Sequence, residues 1–177
     1  MSATEHHPLI EVDLAKLRPT QITAGFAEVA KKRAELANLA NKARRTLLES
    51  HWFSAVLGPH GRLHIVHHHH LAMALLQEGV ERVSVMLLAD LSYLAPAIFW
   101  RVMEQRSWAY PFDQAGERRD HDAIPTRIPQ LVDDPYRSLA GLLRGAGGYA
   151  KDTRRSPSSF GPITCGSTSR SRRSASP

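Results

Sequence analysis

Four consecutive histidines, His67, His68, His69 and His70, are the densest group of chemically versatile side chains in this 177-residue chain. Imidazole can ligate a metal, exchange a proton near neutral pH, or hydrogen-bond an anion. Three uses of the run fit its setting. Backbone N–H groups at the start of a following helix, with imidazoles beside them, would hold a phosphate. A subset could ligate a divalent metal: four adjacent histidines cannot all converge on one ion, but His67 with His70, or His64 with His68, could. In the third use they are ordinary exposed or hydrogen-bonded residues without chemistry. If imidazolium carries phosphate affinity, that affinity falls as the pH rises through about 6.5.

The elements around the run decide how it is presented. Gly58-Pro59-His60-Gly61 is a turn signal between two β-like runs, residues 52–57 and 62–66, and predicts a hairpin. From Leu71 the apolar spacing becomes helical, with Ala74, Leu75 and Leu76, up to a stop at Gly79. The histidines therefore fall where a strand hands over to a helix.

Other polar side chains could reach that joint. Residues 9–14 alternate apolar and charged side chains and read as a half-buried strand. Pro19 then forces Arg18 into an extended conformation, placing Arg18, Thr20 and Gln21 on a loop leaving the strand. Arg18 is a candidate bidentate phosphate partner and Gln21 a hydrogen-bonding one; the alternative is an Arg-Pro turn that caps the sheet edge. Residues 28–49 predict one long amphipathic helix, with Val29, Leu36, Leu39, Ala40, Ala43 and Leu47 inward. Glu28 and Lys32 lie four apart on it, either as a surface pair or, if the pocket lies over the helix start, as ligand-facing groups with Glu28 the general base.

Further on, residues 82–88 predict a buried strand and residues 95–106 a helix with Ile98, Phe99, Val102 and Met103 inward, after a cap at Asp90. Trp52, Phe99 and Trp100 read as core rather than a base-stacking platform. Residues 107–127 are loop-rich, and Asp133-Asp134-Pro135 opens a last helix over 136–144. The order of elements predicts one α+β domain with a small mixed sheet.

The overall balance excludes some classes. Hydrophobic content is 42%, ordinary for a globular protein, and no apolar run approaches the roughly 20 residues that span a bilayer, so a cytoplasmic protein without membrane contact is expected. The single cysteine, Cys165, excludes an intramolecular disulfide and a multi-cysteine zinc site. The net charge of +6 is mostly the tail: residues 154–177 hold five arginines, eight serines and no acid, whereas residues 1–153 carry 18 basic and 17 acidic groups. A pI near 9.9 is therefore no evidence that the folded part binds a polyanion. Such a tail cannot bury a core, and disorder is expected there, as is looseness over residues 1–8.

Taken together, several segments resemble the bacterial ParB-like nuclease family. They are Leu17-Arg18-Pro19-Thr20-Gln21, Val56-Leu57-Gly58-Pro59, the histidine run into Leu71-Ala72, Ala89-Asp90-Leu91-Ser92, Tyr110-Pro111, and Asp133-Asp134-Pro135-Tyr136-Arg137-Ser138. The similarity covers about residues 9–153. It implies a fold shared with ParB N-terminal domains and sulfiredoxins, in which a nucleotide phosphate is held where a strand enters a helix. On that basis a nucleotide or nucleic-acid phosphate is the expected partner. Glu28, His68 and His69 are candidate catalytic residues, and Arg18, Gln21, Lys32 and His70 candidate ligand contacts. A divalent metal such as Mg²⁺ or Mn²⁺, with His67 and His70 as ligands, is the cofactor considered. The family pattern has Asp where His67 stands, which removes a carboxylate from that position. The activity implied is phosphodiester or nucleotide processing; the alternative is a non-catalytic nucleotide-dependent DNA-partition or regulatory module. The family also continues after residue 153 with a Phe-Leu-Trp-Ala-Asp motif absent here. Codons for residues 156–166 can be chosen whose shifted frame encodes Pro-Glu-Phe-Leu-Trp-Ala-Asp-Tyr-Leu-Arg, so residues from about 154 onward are expected to be a frameshift product.

Overall fold

The computed structural model describes residues 9–145; the tail, and with it the frameshift expectation, lies outside the described residues. The elements in order are β1 (Leu9–Asp13), β2 (Thr23–Ala24), α1 (Phe26–Ala37), α2 (Asn41–Ser50), β3 (Trp52–Gly58) and β4 (Arg62–Ile65). They continue as α3 (His69–Gln77), β5 (Arg82–Asp90), α4 (Pro96–Gln105), β6 (Val132–Asp133) and α5 (Pro135–Gly145). This is the α+β arrangement that the pattern of elements predicts.

One four-stranded mixed sheet, in the order β1-β5-β3-β4, carries the domain. β5 is antiparallel to β1 and parallel to β3, and β3 forms the antiparallel hairpin with β4. Beyond β4, Arg18 pairs in parallel with His64: Arg18 N–H donates to the Leu63 carbonyl at 2.9 Å and Ile65 N–H donates to the Arg18 carbonyl at 2.9 Å. The sheet thus gains a short fifth strand at its outer edge. Ala55, Ile65, Val83 and Val85 face one core with Leu36, Met73 and Leu75 of the helices; Val56 and Val66 join a second core with Phe99 and Met103 of α4. No helix among the described residues is long and apolar enough to cross a membrane.

The single helix expected over 28–49 is two. α1 ends at Ala37, Asn38 caps it, and the chain turns through Ala40 (ψ 150°) before α2. Alanine-rich periodicity runs through this break, but Asn38, a weak helix former that competes for backbone hydrogen bonds, stands at it, and Ala40 and Ala43, expected inward, are exposed. The turn lets α1 bury Leu36 while α2 packs Leu47 and Leu48 on the same core. A second correction concerns Asp90. Its carboxylate accepts from Ser92 N–H (2.9 Å) and Ser92 Oγ (2.6 Å), closing a turn, while α4 starts later, after Ala95. Asp133 and Asp134 do cap helices: Asp133 accepts from Phe26 N–H at 2.8 Å, Asp134 from Tyr136 and Arg137 N–H at 3.0 and 3.1 Å. The aromatic expectation holds for Phe99, which is buried, but Trp100 is only partly buried and Trp52 is 48% exposed; Ile98, expected on the inner face of α4, is exposed as well, since that face is the stripe of Phe99 and Met103.

Two-residue strands β2 and β6 pair in parallel, Thr23 with Val132 and Ala24 with Asp133. They are too short to leave a sequence pattern, yet they bring the first turns of α1 and α5 side by side. At the hairpin, a methyl on Gly58 would lie 2.8 Å from the His64 ring and from Phe99 Cζ, two buried rings packed against each other. Gly58→Ala is accordingly expected to lower stability by about 1–3 kcal/mol, seen as a lower urea midpoint at unchanged slope.

Candidate functional site

The joint between β4 and α3 is built by one backbone inversion. Val66 N–H still donates to Ser54 in the sheet at 3.0 Å, and two residues later His68 adopts a left-handed conformation, φ 62° and ψ 30°. Positive φ is uncommon for a residue with a Cβ. Here it turns the chain sharply enough for α3 to begin at His69, with the His68 carbonyl accepting from Ala72 N–H at 3.0 Å.

His69 is the anchor of this joint. It is 4% exposed, and its Nε2 accepts from Thr20 N–H at 3.1 Å; the Thr20 hydroxyl, 3.3 Å from the same nitrogen, donates to the Ile65 carbonyl at 2.8 Å. An accepting Nε2 leaves the ring proton on Nδ1. Burial, followed by the nearby Arg137 guanidinium and the other imidazoles, pushes the His69 pKa down to about 3. The ring is therefore neutral at physiological pH. Burial also lowers His67, and burial followed by repulsion from His70, His67, His51 and Lys32 lowers His68. Each shift favours the neutral ring, which weakens the expectation of an imidazolium-carried affinity.

A cavity of about 260 Å³ opens over the joint, lined by Gln21, Glu28, His67, His68, His69 and His70 together with Arg137 of α5. Six of the sequence-derived candidates thus meet in one place. Lys32 lies just outside, in a connected recess of about 100 Å³ with Glu28 and His70. It does not pair with Glu28: its Nζ contacts Glu35 Oε2 at 2.7 Å, leaving Glu28 Oε2 to face His70 Nδ1 at 3.6 Å. Gly141 of α5 lies directly against the Glu28 carboxylate, closer than any side chain would allow. A larger groove of about 1060 Å³, walled by Leu36, Leu47, Leu48, Leu71 and Leu75, shares Glu28, His68 and His70 with the cavity.

Arg18 is not brought to this cavity. Bridge partners in a sheet project toward the same face, so Arg18 follows His64 and lies with Arg62, Arg127, Trp100 and His121 instead. The cavity's guanidinium is Arg137, which sequence reasoning did not single out. Its Nη1 donates to Gln21 Oε1 at 3.3 Å, its Nε lies 3.4 Å from Asp134 Oδ2, and its Cζ sits 4.4 Å from the Tyr110 ring centre. The available signal was its place in the first turn after the Asp134-Pro135 cap. Its neighbour Gln21 lies 116 residues away, which no local pattern reveals.

Among the described residues no three His, Cys, Asp or Glu side chains are grouped as a metal ion needs. His67 and His70 line the cavity, and Glu28 faces His70 at 3.6 Å, but these donors do not converge as a metal site, and imidazoles with one carboxylate do not make a protein-built Mg²⁺ or Mn²⁺ cage.

A mixed sheet with a polar cavity at a strand-to-helix joint defines an α+β pocket domain. The chain belongs to the family described as "Putative ParB-like nuclease", whose sequence profile matches residues 10–160. Among solved structures it is similar to the crystal structure of protein Atu1540 from Agrobacterium tumefaciens, at 46% sequence identity and a TM-score of 0.73. That similarity covers 81% of this chain and 71% of the other. No curated protein matches.

Proposed function

We propose that the cavity at the β4–α3 joint binds a phosphoryl group of a nucleotide or of a nucleic acid and that the domain processes a phosphodiester there. The observation that carries this reading is the convergence of the Arg137 guanidinium, the first turn of α3 and the four histidines around a cavity holding one facing carboxylate, Glu28. A planar guanidinium suits two phosphate oxygens at once, and a helix start favours an anion. His68 contacts phosphate at the cavity wall. The neutral His69 offers Nδ1–H at most, because Nε2 is engaged by Thr20. Glu28 accepts the proton of an attacking water as its oxygen bonds phosphorus and the ester oxygen departs. The leucine-walled groove beside it takes the apolar remainder of the ligand.

Thermal shift across ribo- and deoxynucleotides, with and without Mg²⁺ and Mn²⁺, coupled to product analysis, tests this. The expected result is stabilisation by at least one phosphate-bearing ligand, with turnover that Glu28→Gln lowers by 100-fold or more while binding persists. Stabilisation without product would make the domain a binding module, and no response to any ligand would end the pocket reading.

A further inference from the structure

A second concentration of guanidinium groups lies away from this cavity, at the outer edge of the sheet. Arg18, Arg62 and Arg127 share an open concave surface of about 620 Å³ with Glu11, Asp13, Lys16 and Arg82. The last four pair among themselves: Arg82 Nε lies 3.0 Å from Glu11 Oε1 and Lys16 Nζ 3.6 Å from Asp13 Oδ2. Arg18, Arg62 and Arg127 form no ion pair among the described residues. The surface therefore holds three uncompensated positive charges, although residues 9–145 as a whole have 17 Lys and Arg against 15 Asp and Glu. Partial burial lowers the Arg18 pKa, and Arg62 and Arg127 lower it further, so both lie within electrostatic reach of Arg18. Arg18 is also rigidly mounted, since its backbone N–H and carbonyl both bond to the β4 edge. Beyond Arg18 and Thr126 the surface continues into a cup of about 190 Å³ walled by Trp100, His64 and His121, where His121 stacks on Trp100 at 5.6 Å. Asp122 is the acidic group of that cup and makes no ion pair with Arg18.

We infer that this edge is a docking surface for the phosphodiester backbone of a nucleic acid, with Arg18, Arg62 and Arg127 on its phosphates. Like charges on this edge that no carboxylate pairs, in a nearly neutral body, are a standing cost that a polyanion removes. Their openness suits an extended chain of phosphates rather than one enclosed anion. The surface is distinct from the β4–α3 cavity, and its occupancy does not depend on that cavity's chemistry.

Binding of the full chain to a fluorescein-labelled duplex and to a single strand, followed by anisotropy over a range of KCl, tests the assignment. The triple variant R18Q/R62Q/R127Q is expected to bind at least tenfold more weakly at about 100 mM salt. Its log–log salt slope should flatten by about two to three, since each lost phosphate contact contributes roughly 0.7–0.9. A control with the same charge change elsewhere, K42Q/R45Q/R101Q, should differ from wild type by less than about twofold, and circular dichroism should show both variants folded. Equal loss in the triple variant and the control would overturn the proposal, as would competition by polyglutamate as effective as by nucleic acid at equal charge. In the R18Q/R62Q/R127Q variant the thermal shift given by mononucleotides should match that of the wild type, because none of the three arginines lines the cavity, so failure of the cavity reading and failure of this one are separable.

Discussion

Shifting the protein from pH 7.5 to pH 4.5 is expected to remove a large part of its stability, chiefly through His69 and His64. Both rings are buried: His69 beneath Thr20, and His64 against Phe99, its Nδ1 donating to the Arg62 carbonyl at 3.0 Å. Burial leads the causes that hold the His69 pKa near 3 and the His64 pKa near 4, against 6.5 for an ordinary histidine. In the interval the unfolded chain takes up protons that the folded chain refuses. Stability is therefore full above about 6.5 and declines as the pH falls toward the folded values, by roughly 2–3 kcal/mol per ring at pH 4.5. Total stabilities are on the order of 5–15 kcal/mol, so the effect is decisive. Urea midpoints at pH 7.5, 6.0 and 4.5 measure it, and His69→Gln isolates the His69 share from titrating carboxylates. A glutamine oxygen can replace Nε2 as acceptor for Thr20 N–H without titrating. The variant should lose about 1 kcal/mol at pH 7.5 and show a shallower decline in acid. If His69→Gln keeps the wild-type acid slope, His69 is not the buried neutral group described.

Local patterns revealed the elements but not all of their meetings. The hairpin, α3, β5 and α5 were legible because turn residues and apolar periodicity both mark them, as Gly58-Pro59 and Gly79 do. The placement of the four histidines at a strand–helix joint follows from chain adjacency and was readable for that reason. Gln21 and Glu28 reach the joint through contacts that the family resemblance implied and spacing alone could not. The break between α1 and α2 was hidden because alanines satisfy helical periodicity whether or not the helix continues. Arg18 shows a different limit. A loop after a strand gives no parity, and only the bridge to His64 decides that Arg18 takes the face opposite the cavity. Arg137 was hidden by distance: it enters the cavity because β2 and β6, two residues each, hold α5 beside α1.

The contribution of Arg137 is expected to exceed that of any single histidine, and Arg137→Lys is the sharpest test of it. Lysine keeps the charge but loses the planar fork and the stacking surface over Tyr110. The arginine is held on three sides, by Gln21, by Asp134 and by the Tyr110 ring, so little conformational freedom remains to be lost when it meets an anion. An ammonium on a flexible stem has no such support. The affinity for the nucleotide that stabilises the wild-type protein most should fall at least tenfold in Arg137→Lys, read by calorimetry, with the thermal midpoint of the unliganded protein changed by only a few degrees. Arg137→Gln adds a second readout. Arg137 is the first of the charges that lower the His69 pKa, after burial itself. Removing its charge should let His69 take up its proton at a higher pH, visible as an upward shift of the His69 ring resonances in an NMR titration. Loss of affinity without that shift would place Arg137 on the ligand but away from His69. Unchanged affinity in both variants would remove the guanidinium from the phosphate seat and leave the first turn of α3 to hold the anion with the imidazoles.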